Sequence, residues 1–282
     1  MTINFRTYNA EPRYGEDYNL LRSFLLELND INYPFGRWDW MISHSYLNVE
    51  GLSKIGIWLD NEAIVGVATY DTMLDGKCFF PLKIGYDYLR PEMIAYAEKN
   101  LARDDKLKLL IRDGDAAFQE TAKRMGYTLT QSKDCDAVFD IDIDKIQYRL
   151  PESFFITSMK DTYDLYQYGQ VLWKGFNHEL NGEGIYAPTS EKIEVFRKEF
   201  ERPNVNLELK IAVVAPDGNF VSYCGMWQDS ASQNALVEPV ATDPAYRKMG
   251  LGRAAVLEGS GHVLHQHSGR EKMWRTFEHQ VI

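Results

Sequence analysis

The sequence predicts an α/β chain of the α+β type. It should form two tandem domains, each a mixed, mostly antiparallel sheet flanked by helices. Three observations carry this prediction. The chain has 282 residues, more than a single core usually organises. Each half holds a strong antiparallel hairpin, KIGIWLDNEAIVGVATYDT in the first and LELKIAVVAPDGNFVSYCGMWQD in the second. Around each hairpin one order recurs: strand, helix, helix, hairpin, strand, helix. Hairpins combined with a strand–helix crossover give a mixed sheet rather than a parallel one.

In the first half, INFRTY (Ile3 to Tyr8) reads as a strand. In GEDYNLLRSFLLELND, Leu20, Leu21, Phe24, Leu25 and Leu28 recur on one helical face. The hairpin turns at Asp60-Asn61-Glu62. RPEMIAYAEKNLAR is a helix with Pro91 in its first turn. KLKLLIRD is a strand, DAAFQETAKRMGY a helix ending at Gly126, and DAVFDIDI the last strand of this half.

The second half restarts after Pro151. SFFITSM is a strand and TYDLYQYGQVLWKGFN a helix. TSEKIEVFRKEFER is a second helix, with Ser190 as its expected cap. The second hairpin turns at Pro216-Asp217-Gly218. NALVEPVAT is a strand, and a glycine-rich turn then opens a helix. The domain boundary is placed at residues 146 and 147, giving domains 1–146 and 147–282.

Lys and Arg number 31 against 41 Asp and Glu, a net charge of −10, with no dense basic run. This argues against nucleic acid or an anionic membrane as a main partner. The three cysteines, Cys78, Cys135 and Cys224, are far apart and form no CxxC pair. The start is polar, and no apolar run approaches the ~18 residues that span a bilayer. A cytoplasmic setting is expected.

The chemistry concentrates in VEPVATDPAYRKMGLGRAAV, Val237 to Val256. Its glycines stand just before a helix, where backbone N–H groups lack intrahelical acceptors and the helix dipole favours an anion. A phosphate loop of the GxxxxGK[ST] type is excluded, because no Lys-Ser or Lys-Thr follows Gly252. Gly250, Gly252 and Ala255 formally match GxGxx[GA]. Seven residues separate Thr242 from Gly250, however, and the dinucleotide fold needs the strand to run into the first glycine.

The stretch resembles the acetyl-coenzyme A loop of the GNAT acyltransferase superfamily, [RQ]-x-x-G-x-[GA] after an Asp/Pro corner. Arg247-Lys248-Met249-Gly250-Leu251-Gly252 fits it, with Asp243-Pro244 at the corner and Arg253-Ala254 following. The resemblance implies a tandem GNAT protein. Its second domain would bind acetyl-CoA as co-substrate and transfer the acetyl group to an amine of a small molecule or protein. Backbone groups from Lys248 to Ala254 would cradle the diphosphate, with Arg247 and Arg253 adding charge. Val240, Ala241 and Thr242 would hydrogen-bond the pantetheine arm where the strand splays from its neighbour. Glu238 would be the general base, sharing a strand face with Leu236, Val240 and Thr242. His178, in LWKGFNHELNGEG, is a second candidate for that proton. Loop histidines are more commonly surface residues. Trp38 and Trp40, in RWDWMISH, are expected in the core or at an interface.

The first half shows no such loop; DYLRPEMIAYAEKN puts proline and bulky side chains at that place, and it reads as a degenerate copy. After Gly252 only 30 residues remain, without a tyrosine. The family usually places a tyrosine acid on a later helix, so the second domain is expected to be short at its C-terminus. The tail holds His262, His265, His267 and His279, but no carboxylate or cysteine at a useful metal-ligand spacing, so no metal is expected. Two other readings remain: a non-catalytic acyl-CoA-binding or regulatory protein, and a scaffold that binds partners through both domains.

Overall fold

The computed structural model describes residues 2–131, 135–232, 234–265 and 271–277. The chain divides into two compact units between Lys133 and Asp134. In the first unit, β1 (Ile3–Thr7) is followed by helices α1 (Glu16–Leu28) and α2 (Phe35–Ser43). The hairpin β2 (Gly56–Asp60) and β3 (Ala63–Ala68) comes next, then β4 (Lys77–Cys78), α3 (Arg90–Asn100), β5 (Lys108–Leu109) and α4 (Ala116–Arg124). Strands β1, β2 and β3 form an antiparallel sheet, and β4 and β5 a short parallel pair. Asn61 and Glu62 both take positive φ, +47° and +68°, as a tight hairpin turn with the natural strand twist requires.

The helical face expected of α1 holds at Leu21, Phe24 and Leu25, which are buried, but Leu20 is 39% exposed. Trp38 and Trp40 are core residues of α2. The strand expected over 106–113 shrinks to β5, because only Lys108 and Leu109 find strand partners.

The second unit contains β6 (Cys135–Ile141), β7 (Phe155–Ser158), α5 (Leu165–Gly175), α6 (Ser190–Phe200) and the hairpin β8 (Lys210–Val214) and β9 (Phe220–Gln228). Then follow β10 (Asn234–Thr242), α7 (Leu251–His265) and β11 (Glu271–Phe277). The sheet order is β6-β11-β10-β9-β8-β7, and only the β10–β11 pair is parallel. Thr189, not Ser190, caps α6: its hydroxyl accepts from the Lys192 N–H at 3.3 Å, and Ser190 is already helical. Asp164 caps α5 in the same way, accepting from Gln167 at 2.9 Å.

The sheet has a core on each face. One packs Ile211, Val213, Cys224, Met226, Ala235 and Val237 against Leu251, Ala255 and Val263 of α7. The other packs Ala212, Val214, Phe220 and Tyr223 against Tyr168 and Val171 of α5 and Phe196 and Phe200 of α6. Alternation along β8, and along β9 beyond the register shift at Val221, sends successive side chains to opposite cores, as period-2 geometry demands.

The main difference from the sequence reading lies at the junction. The strand DAVFDIDI, read as the end of the first half, pairs antiparallel with β11 from Glu271↔Ile141 to Phe277↔Cys135. The compact units consequently divide 13 residues before the boundary expected at 146 and 147. The far edge of β11, left open if the tail alone had to finish the sheet, is covered by β6.

Candidate functional site

The site grows from β10. Its pairing with β9 runs the whole length, with a register shift between Val237 and Val240. Its parallel pairing with β11 covers only Asn234 to Val237. From Glu238 onward no strand lies on that edge among the described residues, so the two strands part at the place the sequence reading requires. Pro239 has no N–H to give a ladder, which suits it to a bulge.

The bulge changes one expectation. Val240 packs against the core that contains Ala235 and Val237, on the α7 face. An unbroken strand would have put Val240 on the face of Leu236. The extra residue reverses the parity, so Glu238 and Leu236 do not share a face with Val240. Glu238 sits within the bulge and is 5% exposed. Its carbonyl accepts from the Trp227 indole N–H at 3.0 Å, fixing the bulge against β9.

At the end of β10, Ser222 donates to the Ala241 carbonyl at 3.0 Å, and its hydroxyl lies 2.9 Å from that of Thr242. The chain then turns at Asp243. Its N–H donates to Val221 at 3.0 Å, and its buried carboxylate accepts from Ala245 N–H at 2.9 Å and lies 3.3 Å from Lys174 Nζ. This ties the corner to the last turn of α5. Gly175 makes the contact close: a Cβ there would stand 2.7 Å from Ala241 Cβ and 2.9 Å from Thr242 N.

The loop itself is an anion cradle in form. Lys248 has φ +66° and Gly250 φ +82°, and left-handed residues alternating with ordinary ones turn successive N–H groups toward one side. The first paired amide of α7 is Ala254, which donates to Gly250 at 2.9 Å. The six amides from Lys248 to Arg253 find no acceptor among the described residues. Leu251, 1% exposed, anchors the helix start in the α7 core, and Ala254 is fully buried beside it. Lys248, Met249, Gly250 and Arg253 are exposed. Uncompensated donors at a helix start, in the positive end of the dipole, fit a diphosphate.

Arg247 is placed differently from expectation. Its Nη2 donates to the Gly175 carbonyl at 2.8 Å and to Asn177 Oδ1 at 2.7 Å, and its Nε to the Thr242 carbonyl at 3.2 Å. Only Nη1 is left for an anion. His178 stacks on Trp173 with ring centroids 4.2 Å apart and 18° between planes, and its Nδ1 meets Glu183 Oε1 at 2.8 Å. Tyr186, on the same segment, has its phenol pushed up to about 12 by burial, so it is a poor acid there. Nothing in the local pattern singles out Lys174, Gly175, Ser222 or Trp227, because each acts through a partner distant in the chain.

In the first unit, the start of α3 has another character. Arg90 is 9% exposed, with Nε 3.0 Å from Asp87 Oδ1 and Nη2 2.9 Å from Asp115 Oδ2. Carboxylates at that helix start oppose an incoming phosphate.

No group of three metal-ligating side chains occurs among the described residues. His262 lies 3.4 Å from Glu258. The His265 side chain, His267 and His279 are outside the described residues. No described helix is long and apolar enough to cross a membrane.

Comparison with known proteins agrees with this geometry. Residues 173–280 match the profile described as Acetyltransferase (GNAT) family. A GCN5-related N-acetyltransferase from Sphaerobacter thermophilus superposes with TM-score 0.56 at 12% identity, covering 99% of this chain and 88% of that one. A tandem GNAT protein from the clavulanic acid biosynthesis pathway, without acetyl-CoA, gives 0.58 at 13%, covering 100% and 91%. At these identities the two likenesses show the fold. No curated protein matches the chain in sequence. Residues 173–280 thus match the acetyltransferase (GNAT) family, whose members transfer acyl groups from acyl-CoA, and the chain has the two-domain fold of tandem GNAT proteins.

Proposed function

We propose that the second unit transfers an acetyl group from acetyl-CoA to an amine of a small molecule or protein, in the cytoplasm. The observation that carries this reading is the run of unpaired amides from Lys248 to Arg253, set beside the strand edge that opens after Val237. The amides receive the diphosphate, and Arg253, Lys248 and the free Nη1 of Arg247 add positive charge. The open edge at Val240, Ala241 and Thr242 receives the pantetheine amides as an added strand would. The thioester then lies at the bulge, beside Glu238.

Glu238 takes a proton from the acceptor amine. The amine nitrogen forms a bond to the thioester carbonyl carbon, the C–S bond breaks, and the leaving thiolate gains the proton. A carboxylate held in a bulge beside the thioester is well placed for that task, and burial of the site keeps water from competing. The first unit takes no coenzyme, since Asp87 and Asp115 surround the helix start that would hold it. Cys78 and Cys224, buried thiols that are not in a disulfide, accord with a reducing compartment.

Calorimetry with acetyl-CoA, followed by thiol release with a panel of amines, tests the reading. Heat of binding at micromolar coenzyme and amine-dependent thiol release are expected. No heat at millimolar acetyl-CoA would overturn it.

A further inference from the structure

One side chain links the coenzyme corner to the segment that follows α5. The Gly175 carbonyl that Arg247 caps is among the last of α5, where carbonyls lack intrahelical donors and carry the negative end of the dipole. Asn177, the other Nη2 partner, takes φ +66° as the chain leaves the helix. Beyond it the segment to Tyr186 folds back on α5. His178 stacks on Trp173, the Trp173 indole donates to the Gly184 carbonyl at 3.0 Å, and Glu179 accepts from the Tyr186 N–H at 3.3 Å. The Lys174–Asp243 pair and the Gly175 contact with Ala241 bring the end of α5 to the same corner. The path from the corner to the folded-back segment is therefore continuous, and Arg247 spans its middle.

We infer that Arg247 is a positioning residue that couples coenzyme binding to the order of residues 177–186, the segment that folds back on α5. The inference rests on the coenzyme-binding reading of the corner. Three of the guanidinium N–H groups hold the segment and the end of β10, and the two on Nη1 have no acceptor among the described residues. A diphosphate at the unpaired amides meets those two. Binding then fixes the guanidinium plane, and with it the segment. Lysine supplies the same charge but not a planar fork that reaches three acceptors at once. Charge and latch are thus separable by substitution. One element biased from two sites is the physical content of such coupling.

The test is amide hydrogen exchange over 175–186 in the full chain, with and without acetyl-CoA, for the wild type, Arg247→Lys and Asn177→Ala. Without coenzyme, Arg247→Lys is expected to speed exchange in the segment about tenfold, since its main tether is lost. Asn177→Ala, which removes one of the three bonds, should give a smaller increase. Acetyl-CoA should slow exchange in the segment of the wild type. In Arg247→Lys, at acetyl-CoA concentrations that saturate the variant, it should protect only the corner. Equal exchange in the wild type and Arg247→Lys, or equal protection of the segment by coenzyme in both, would overturn the inference. If Arg247→Lys fails to fold by circular dichroism, Asn177→Ala decides, and unchanged exchange there overturns it. Absence of acetyl-CoA binding to the wild type would instead overturn the coenzyme reading. The comparison without ligand would still show whether Arg247 holds the segment.

Discussion

Replacing Gly250 by alanine isolates the contribution of backbone conformation to the cradle. An added Cβ meets nothing within 4 Å, so steric conflict with the protein is absent. The only penalty is the φ of +82°, which an L-residue holds at a cost of about 1–2 kcal/mol. For a unit of this size that lowers Tm by about 2–4 °C per kcal/mol. The loop relieves part of that strain by relaxing φ toward negative values, which swings the Gly250 and Leu251 amides away from the point where the six converge. Two charge-assisted hydrogen bonds at about 1.5 kcal/mol or more each are then lost, a weakening of acetyl-CoA binding by about 100-fold. Calorimetry gives the affinity and a thermal melt the stability. An affinity within about twofold of the wild type, together with the lowered Tm, would refute the reasoning, since the strain would then be real and the amides irrelevant.

Further predictions concern the strand, the helix contact and a turn. Glu238→Gln should leave the acetyl-CoA affinity unchanged while slowing transfer by about 10²–10⁴-fold, read by thiol release; an unchanged rate removes Glu238 as the base. Gly175→Ala sets a Cβ 2.7 Å from Ala241 Cβ and 2.9 Å from Thr242 N, partners that cannot swing aside, and should cost about 1–3 kcal/mol in urea melts. Asp217 accepts from the Asn219 backbone N–H at 3.1 Å and from its side-chain amide at 2.7 Å, and these bonds hold its carboxyl below the usual range. Because the folded pKa is depressed, the stabilisation is complete above the ordinary carboxylate value and is lost as pH falls through the lower folded one. The stability difference between wild type and Asp217→Asn should therefore be largest near neutrality and shrink below about pH 4.

Much of the site could be read from residues alone. Arg247 to Gly252 carries its own geometry, since glycines in a turn before a helix have few other uses. The hairpins announce themselves by alternation and by Asp-Asn-Glu and Pro-Asp-Gly turns. Other features depend on partners that the local pattern does not name. The alternation of DAVFDIDI marks a strand but is silent on which sheet receives it, and its partner residues in β11 lie 130 or more positions away. The bulge at Glu238 and Pro239 reverses side-chain parity, so a face assigned by counting in twos fails beyond it. Arg247 fits its motif position, yet most of its donors are turned to α5, because the helix C-terminus offers acceptors that only the folded chain brings near.

The central claim, that the backbone around Gly250 binds the diphosphate of acetyl-CoA, is tested most directly by following backbone amide resonances during a titration with the coenzyme. The largest shifts should fall on Lys248 to Arg253, with smaller ones at Val240 to Thr242. Saturable binding that leaves those amides unmoved, or that shifts the start of α3 in the first unit instead, would contradict the account.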